Sequence, residues 1–253
     1  MARKRHALPL PRGFPKERHA SLAPVAPALA RAEHSCSDGG YWPPRLLAPA
    51  VSIGKALWDR ATTGGIVVGT VSLPITGVVL AGGAGRRMGG LDKGFVLWSG
   101  EPLVVHALRF MAGLPQVLIS ANRSLSRYRA LGYEVVTDEC ADFSGPLMGL
   151  RAALRKATQL WTACLPVDSP CLPADIMARL WAARVAGGIV VGRSPQGPEP
   201  IVCLVWTALL PHLETYLAKG GLRAQDWFRG LPQAWLDLTA AEAANCNTPQ
   251  DLR

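Results

Sequence analysis

The residues best suited to chemistry lie in Leu80–Gly94, LAGGAGRRMGGLDKG, directly behind the apolar run Thr76-Gly77-Val78-Val79. Glycines at 82, 83, 85, 89, 90 and 94 are interleaved with Arg86, Arg87 and Lys93. A short buried strand that breaks into a glycine-rich basic loop brings backbone N–H groups against phosphate. Glycine allows close approach and positive φ, while Arg and Lys counter the phosphate charge. The segment points to a nucleoside triphosphate or a similar polyphosphate ligand. Spacing excludes two common phosphate loops. The P-loop requires Lys followed by Ser or Thr, and Lys93 is followed by Gly94. The dinucleotide fingerprint would start at Gly83 as G-A-G-R-R-M, without its last glycine. The acidic residue wanted about 20 positions on would be Glu101, which follows Trp98-Ser99-Gly100 instead of ending a strand. A purely structural glycine-rich turn is the plain alternative.

Such a loop must be held by elements around it, and from Thr76 onward short apolar runs alternate with amphipathic stretches. The runs are Thr76–Leu80, Gln116–Ser120, Glu134–Thr137, Trp161–Val167, Gly188–Val191 and Pro200–Val205. Between them, Pro102–Gly113, Leu125–Gly132, Pro146–Thr158, Pro173–Ala183 and Thr207–Lys219 read as helices, several with Pro near the first turn. This alternation predicts an α/β domain with a doubly wound, mainly parallel sheet, in which a later strand could run antiparallel.

Polar residues fall at the ends of these runs. The second run is followed by Asn122 and Arg123, the third ends at Asp138 and the fourth at Asp168. Ligands of open α/β sheets bind outside the carboxyl ends of the strands, so four neighbouring strands would gather these groups and the glycine loop around one crevice. Individually, Asp168 could cap the helix near Pro173 or start an Asx turn, Asp138 could be a solvated turn residue, and Asn122 could cap the helix after it. Together they suit nucleotidyl transfer. A hard divalent cation, Mg²⁺, would be held by a carboxylate and phosphate oxygens and would stabilise charge developing on the α-phosphoryl group and pyrophosphate. An already ionised phosphate as nucleophile needs no catalytic His or Cys.

Composition sets outer limits. A chain of 253 residues with 49% hydrophobic content can bury one substantial core. Its net charge of +9 is uneven: residues 1–74 carry ten Lys/Arg against four Asp/Glu, and residues 75–253 seventeen against fourteen. No basic helix or aromatic–basic RNA motif accompanies that charge, so nucleic-acid binding is not expected. Six cysteines without a C-x-x-C pair read as reduced thiols in a cytoplasm, and the five histidines lack ligand spacing for zinc. The charge-free window Ala61–Gly85 is long enough to span a membrane, yet its seven glycines and Pro74 favour a non-membrane reading. Residues 1–70, with eight prolines and no periodicity, are expected to be disordered, or an extension read from an upstream start codon; a transit peptide is conceivable, and a signal peptide is a poor fit. The chemistry is assigned to a domain over residues 71–253.

Residues Leu80, Gly82, Gly83, Arg87, Met88 and Lys93 match the L-x-G-G-x-x-x-R-M-x-x-x-x-K signature of sugar-phosphate and molybdopterin nucleotidyltransferases. The string RRMGGLDKG resembles the molybdenum cofactor guanylyltransferases, as do SANR at 120–123, DECADFSGPLMG at 138–149, PVDSP at 166–170 and NCNTPQDL at 245–252. The LAGG form favours guanylyl over cytidylyl transfer. The resemblance implies a Rossmann-like nucleotidyltransferase fold that transfers GMP from GTP to molybdopterin, releasing pyrophosphate. It implies nucleotide contacts at Leu80, Ala81, Gly82, Lys93, Ser120, Asp138 and Asp168, with Asp168 also holding Mg²⁺. Arg87, Lys93 and Asp168 would be the catalytic residues, and Asn245 and Asn247 would face molybdopterin. Ser120 departs from the Asn frequent at that position, and serine lacks the paired donor and acceptor of an amide. Proteins that make molybdopterin and insert the finished cofactor would be partners; oligomeric state is open. The rival readings are a cytidylyl- or sugar-phosphate nucleotidyltransferase of the same fold, and a non-catalytic nucleotide-binding or cofactor-delivery protein.

Overall fold

In the first strand, β1 (Ile75–Leu80), every residue but Leu80 is buried, as expected of an apolar run flanked on both faces. The computed structural model describes residues 72–82, 92–138 and 145–246. The expectations for residues 1–70 and for the loop residues Arg86 and Arg87 lie outside these. After a 3₁₀ turn at Lys93–Phe95 come the hairpin strands β2 (Leu97–Trp98) and β3 (Glu101–Pro102), helix α1 (Leu103–Arg109) and strand β4 (Gln116–Ser120). Helix α2 (Leu125–Arg129), strand β5 (Glu134–Val136), helix α3 (Pro146–Lys156) and strand β6 (Trp161–Pro166) follow. The chain continues through α4 (Ile176–Ala182), β7 (Ile189–Ser194), β8 (Gly197–Trp206), α5 (Leu210–Ala218), α6 (Ala224–Phe228) and β9 (Gln233–Asp237).

Seven strands form one sheet in the order β5-β4-β1-β6-β8-β7-β9. β5, β4, β1 and β6 are mutually parallel, β8 runs antiparallel to both its neighbours, and β9 pairs parallel with β7. The expected doubly wound, mainly parallel sheet with an antiparallel late strand is therefore present. The period of two divides β1 between two cores. Ile75 and Val79 join Leu103, Val104 and Tyr128 of α1 and α2 and Ile176 and Leu180 of α4 on one face. Val78 joins Leu147, Leu150 and Leu154 of α3, Leu213 of α5 and Trp227 of α6 on the other. From β1 the chain moves outward to β4 and β5, then returns to place β6 on the far side of β1. That reversal is the switch point at which open α/β sheets bind ligands.

All six expected strands and five expected helices are found, with helix ends trimmed by a few residues. The hairpin β2–β3, helix α6 and edge strand β9 have no counterpart in the sequence reading. β9 buries only Leu236, so it carries no apolar alternation to detect.

Candidate functional site

The carboxyl ends of β1, β4, β5 and β6 surround an open cleft, the place where sheets of this kind bind ligands. Leu80, Ala81, Gly82, Lys93, Ser120, Asp138 and Asp168 all line it. Across the cleft the Lys93 ammonium donates to Asp168 Oδ2 at 2.7 Å. Asp168 does not cap the helix behind it, since α4 begins after Asp175. Asn122 likewise does not cap α2: its Oδ1 accepts from the Asp138 N–H at 3.1 Å, tying the end of β4 to the end of β5. Asp138 is half-buried, and its Oδ1 has no hydrogen-bond partner among the described residues. A buried carboxylate oxygen left bare is costly unless a ligand completes it.

The third wall is the start of α3. Gly145, with φ of +94°, turns the chain into Pro146 at the first helical position, where a missing N–H costs nothing. Gly145, Pro146 and Gly149 line the cleft, so the positive end of an 11-residue helix faces it. Gly149 lets the helix close on the sheet: a Cβ there would sit 2.5 Å from Ser120 Oγ and 2.9 Å from Leu80 Cδ2.

Lys93 emerges from the 3₁₀ turn behind β1. Asp92 Oδ1 accepts from the Gly94 N–H at 3.1 Å and from the Tyr128 hydroxyl at 2.6 Å, and Asp92 Oδ2 lies 3.8 Å from Arg123 Nε. Tyr128 is fully buried. Burial, reinforced by the Asp92 charge, holds its hydroxyl well above the usual phenol pKa, so it remains a donor.

The C-terminal segment returns to the same place. The Cys246 N–H donates to the Asp168 carbonyl at 2.9 Å, and Ser169 Oγ donates to Asn245 Oδ1 at 2.6 Å. Asn245 is thus beside Asp168 but is exposed and outside the cleft lining; Asn247 lies outside the described residues. Ser120 is buried on the cleft wall. The backbone of Leu80 and Ala81 is partly committed: the Ala81 N–H donates to the Ser120 carbonyl at 2.8 Å, and the Leu80 carbonyl accepts from Val167 at 3.1 Å. Sequence reasoning missed Ile201 on the cleft wall and the contacts of Asp92 and Tyr128. Only the string DKG hinted at the latter.

Comparisons with known proteins agree with this geometry. A family model described as a MobA-like NTP transferase domain matches residues 77–234. The molybdenum cofactor guanylyltransferase of Ralstonia nicotianae is 39% identical over 192 residues, covering 71% of this chain and 94% of that protein. Among solved structures, molybdopterin-guanine dinucleotide biosynthesis protein A from Archaeoglobus fulgidus is 21% identical with a TM-score of 0.58, covering 70% of this chain and 94% of that one. Rv0371c from Mycobacterium tuberculosis, solved in complex with manganese, is 20% identical with a TM-score of 0.50, covering 70% and 95%. With its loop signature, its sheet order and a relative at this level of identity, the chain belongs to the MobA-like NTP transferase family and is a nucleotidyltransferase of the molybdenum cofactor guanylyltransferase group.

Proposed function

We propose that the cleft binds GTP and catalyses its reaction with molybdopterin. A terminal phosphate oxygen of molybdopterin attacks the α-phosphorus, the bond from that phosphorus to the bridging oxygen of the β-phosphate breaks, and pyrophosphate leaves. The observation that carries this reading is the Lys93–Asp168 pair facing Asp138 across one cleft at the switch point. An ammonium there would neutralise the triphosphate, and the positive end of α3 would add to it. Arg87, outside the described residues, is assigned to the same task on the loop signature. Attack by an ionised phosphate requires positioning and charge stabilisation more than proton transfer.

Among the described residues no group of three or more His, Cys, Asp or Glu could cage a metal. That suits Mg²⁺, which is commonly held by one or two carboxylates plus substrate phosphates. Asp168 would hold it. The bare Oδ1 of Asp138 gives the same wall room for a water of its shell or for the nucleotide. Bound there, the cation would supply positive charge to the α-phosphoryl and pyrophosphate oxygens. Use of a divalent metal also accords with the manganese in the Mycobacterium tuberculosis relative. Asn245, beside Ser169, is assigned to the molybdopterin side, together with Asn247.

No helix among the described residues is long and apolar enough to cross a membrane. The cytoplasm, where reduced thiols persist, is the proposed location, with molybdopterin-supplying and cofactor-inserting proteins as partners. The test is metal dependence: chelation should stop GTP-dependent transfer to molybdopterin and added Mg²⁺ restore it. Transfer unaffected by complete chelation would contradict the assignment of Asp168 to a cation.

A further inference from the structure

The 3₁₀ turn that presents Lys93 is anchored from a connection remote in sequence. Tyr128 lies on α2, beyond β4, on one side of β1, whereas Asp168 lies beyond β6 on the other. Tyr128 donates to Asp92 Oδ1, the same oxygen caps the turn through Gly94, and Lys93 then reaches over the end of β1 to Asp168. These five residues form a strap that runs from α2 to the Lys93–Asp168 pair on the cleft lining.

Three features make this more than a satisfied core tyrosine. A hydrophobic neighbour or a backbone carbonyl would satisfy the Tyr128 ring and hydroxyl equally well. Its partner is instead a carboxylate whose side chain is only 5% exposed, with Arg123 Nε 3.8 Å from its other oxygen, a group costly to bury unless its oxygens are engaged. Both bonds fall on one oxygen, which fixes the carboxylate plane and with it the turn. A Cβ on Gly94 would collide with the Tyr128 hydroxyl, so turn and ring are in contact and move together. Phe95, the last residue of the turn, packs its ring 4.6 Å from that of Tyr128.

We propose that Tyr128, acting through Asp92, is a positioning residue that sets where the Lys93 ammonium meets the triphosphate. The inference rests on the reading that Lys93 binds the triphosphate. The test is GTP affinity by titration calorimetry on the full chain without acceptor, comparing the native protein with Lys93→Ala, Tyr128→Phe and the double variant. Lys93→Ala should weaken binding at least about tenfold, and Tyr128→Phe about tenfold, as for loss of a hydrogen bond to a charged group. In the double variant Tyr128→Phe should add less than about twofold, because it acts through a side chain already removed. Asp92→Asn keeps an oxygen for both donors and should stay within about threefold of native, whereas Asp92→Ala should match Tyr128→Phe. If Tyr128→Phe fails to fold, Asp92→Ala in the Lys93→Ala background carries the same comparison. Full additivity with Lys93→Ala would overturn the positioning role and leave the Lys93 reading intact. Unchanged affinity in Lys93→Ala would overturn that reading and the strap with it.

Discussion

At the scale of single residues, the account turns on Asp168. Its side chain is 24% exposed and that of Lys93 20%, so their ion pair, screened by water, contributes at most about 1 kcal/mol to stability. Its value is chemical. Asp168→Asn keeps shape and removes charge, so turnover should fall by about a hundredfold or more while the melting temperature barely moves. A fully active, equally stable Asp168→Asn protein would remove the metal from this position. Asp138 and Asp168 were legible in the sequence because each ends an apolar run, where an α/β sheet gathers its ligands, and Lys93 because it closes the glycine-rich basic loop. Asp92 and Asn122 were not assigned their contacts. Their partners lie 36 and 16 residues away, and no local pattern encodes a hydrogen bond at that separation.

Among elements, the start of α3 forms one wall of the cleft, and Gly149 governs how near the helix lies to the sheet. Gly149→Ala would press a methyl group onto Ser120 Oγ and Leu80. Such overpacking should cost about 1–3 kcal/mol, read as a lowered denaturation midpoint, and narrow the cleft, read as weaker GTP binding. Adding Ser120→Ala, which removes the clashing Oγ, should recover part of the denaturation midpoint; no recovery would mean that the helix shifts as a whole. The strands of the sheet's centre were legible because burial on both faces leaves continuous apolar runs. The hairpin Leu97–Pro102 was not, since two-residue strands have no period. Helix α6 and β9 were missed for a related reason: five residues are too few to display a period, although α6 buries Ala224, Trp227 and Phe228 where β9 buries only Leu236.

Over the whole molecule, both cores must hold for the cleft to exist, and one of them contains a titratable joint. The Trp227 indole N–H donates to His212 Nδ1 at 2.9 Å, linking α6 to α5, and that bond requires an unprotonated Nδ1. Burial first, and the Lys219 charge second, lower the His212 pKa below its usual 6.5. The unfolded chain therefore binds a proton that the native protein refuses. This contribution to stability is complete above the unfolded value and is lost as pH falls below it toward the folded one. The urea midpoint should accordingly drop between about pH 7.5 and pH 5.5, and drop less in His212→Gln. An equal drop in both proteins would place the titration elsewhere. Fold and chemistry meet in one reaction, and the most direct measurement is transfer of α-labelled nucleotide to molybdopterin with Mg²⁺, comparing GTP, CTP and ATP. The account predicts labelled dinucleotide from GTP alone. Product from CTP and none from GTP, or none from any nucleotide with folded protein and intact acceptor, would contradict it.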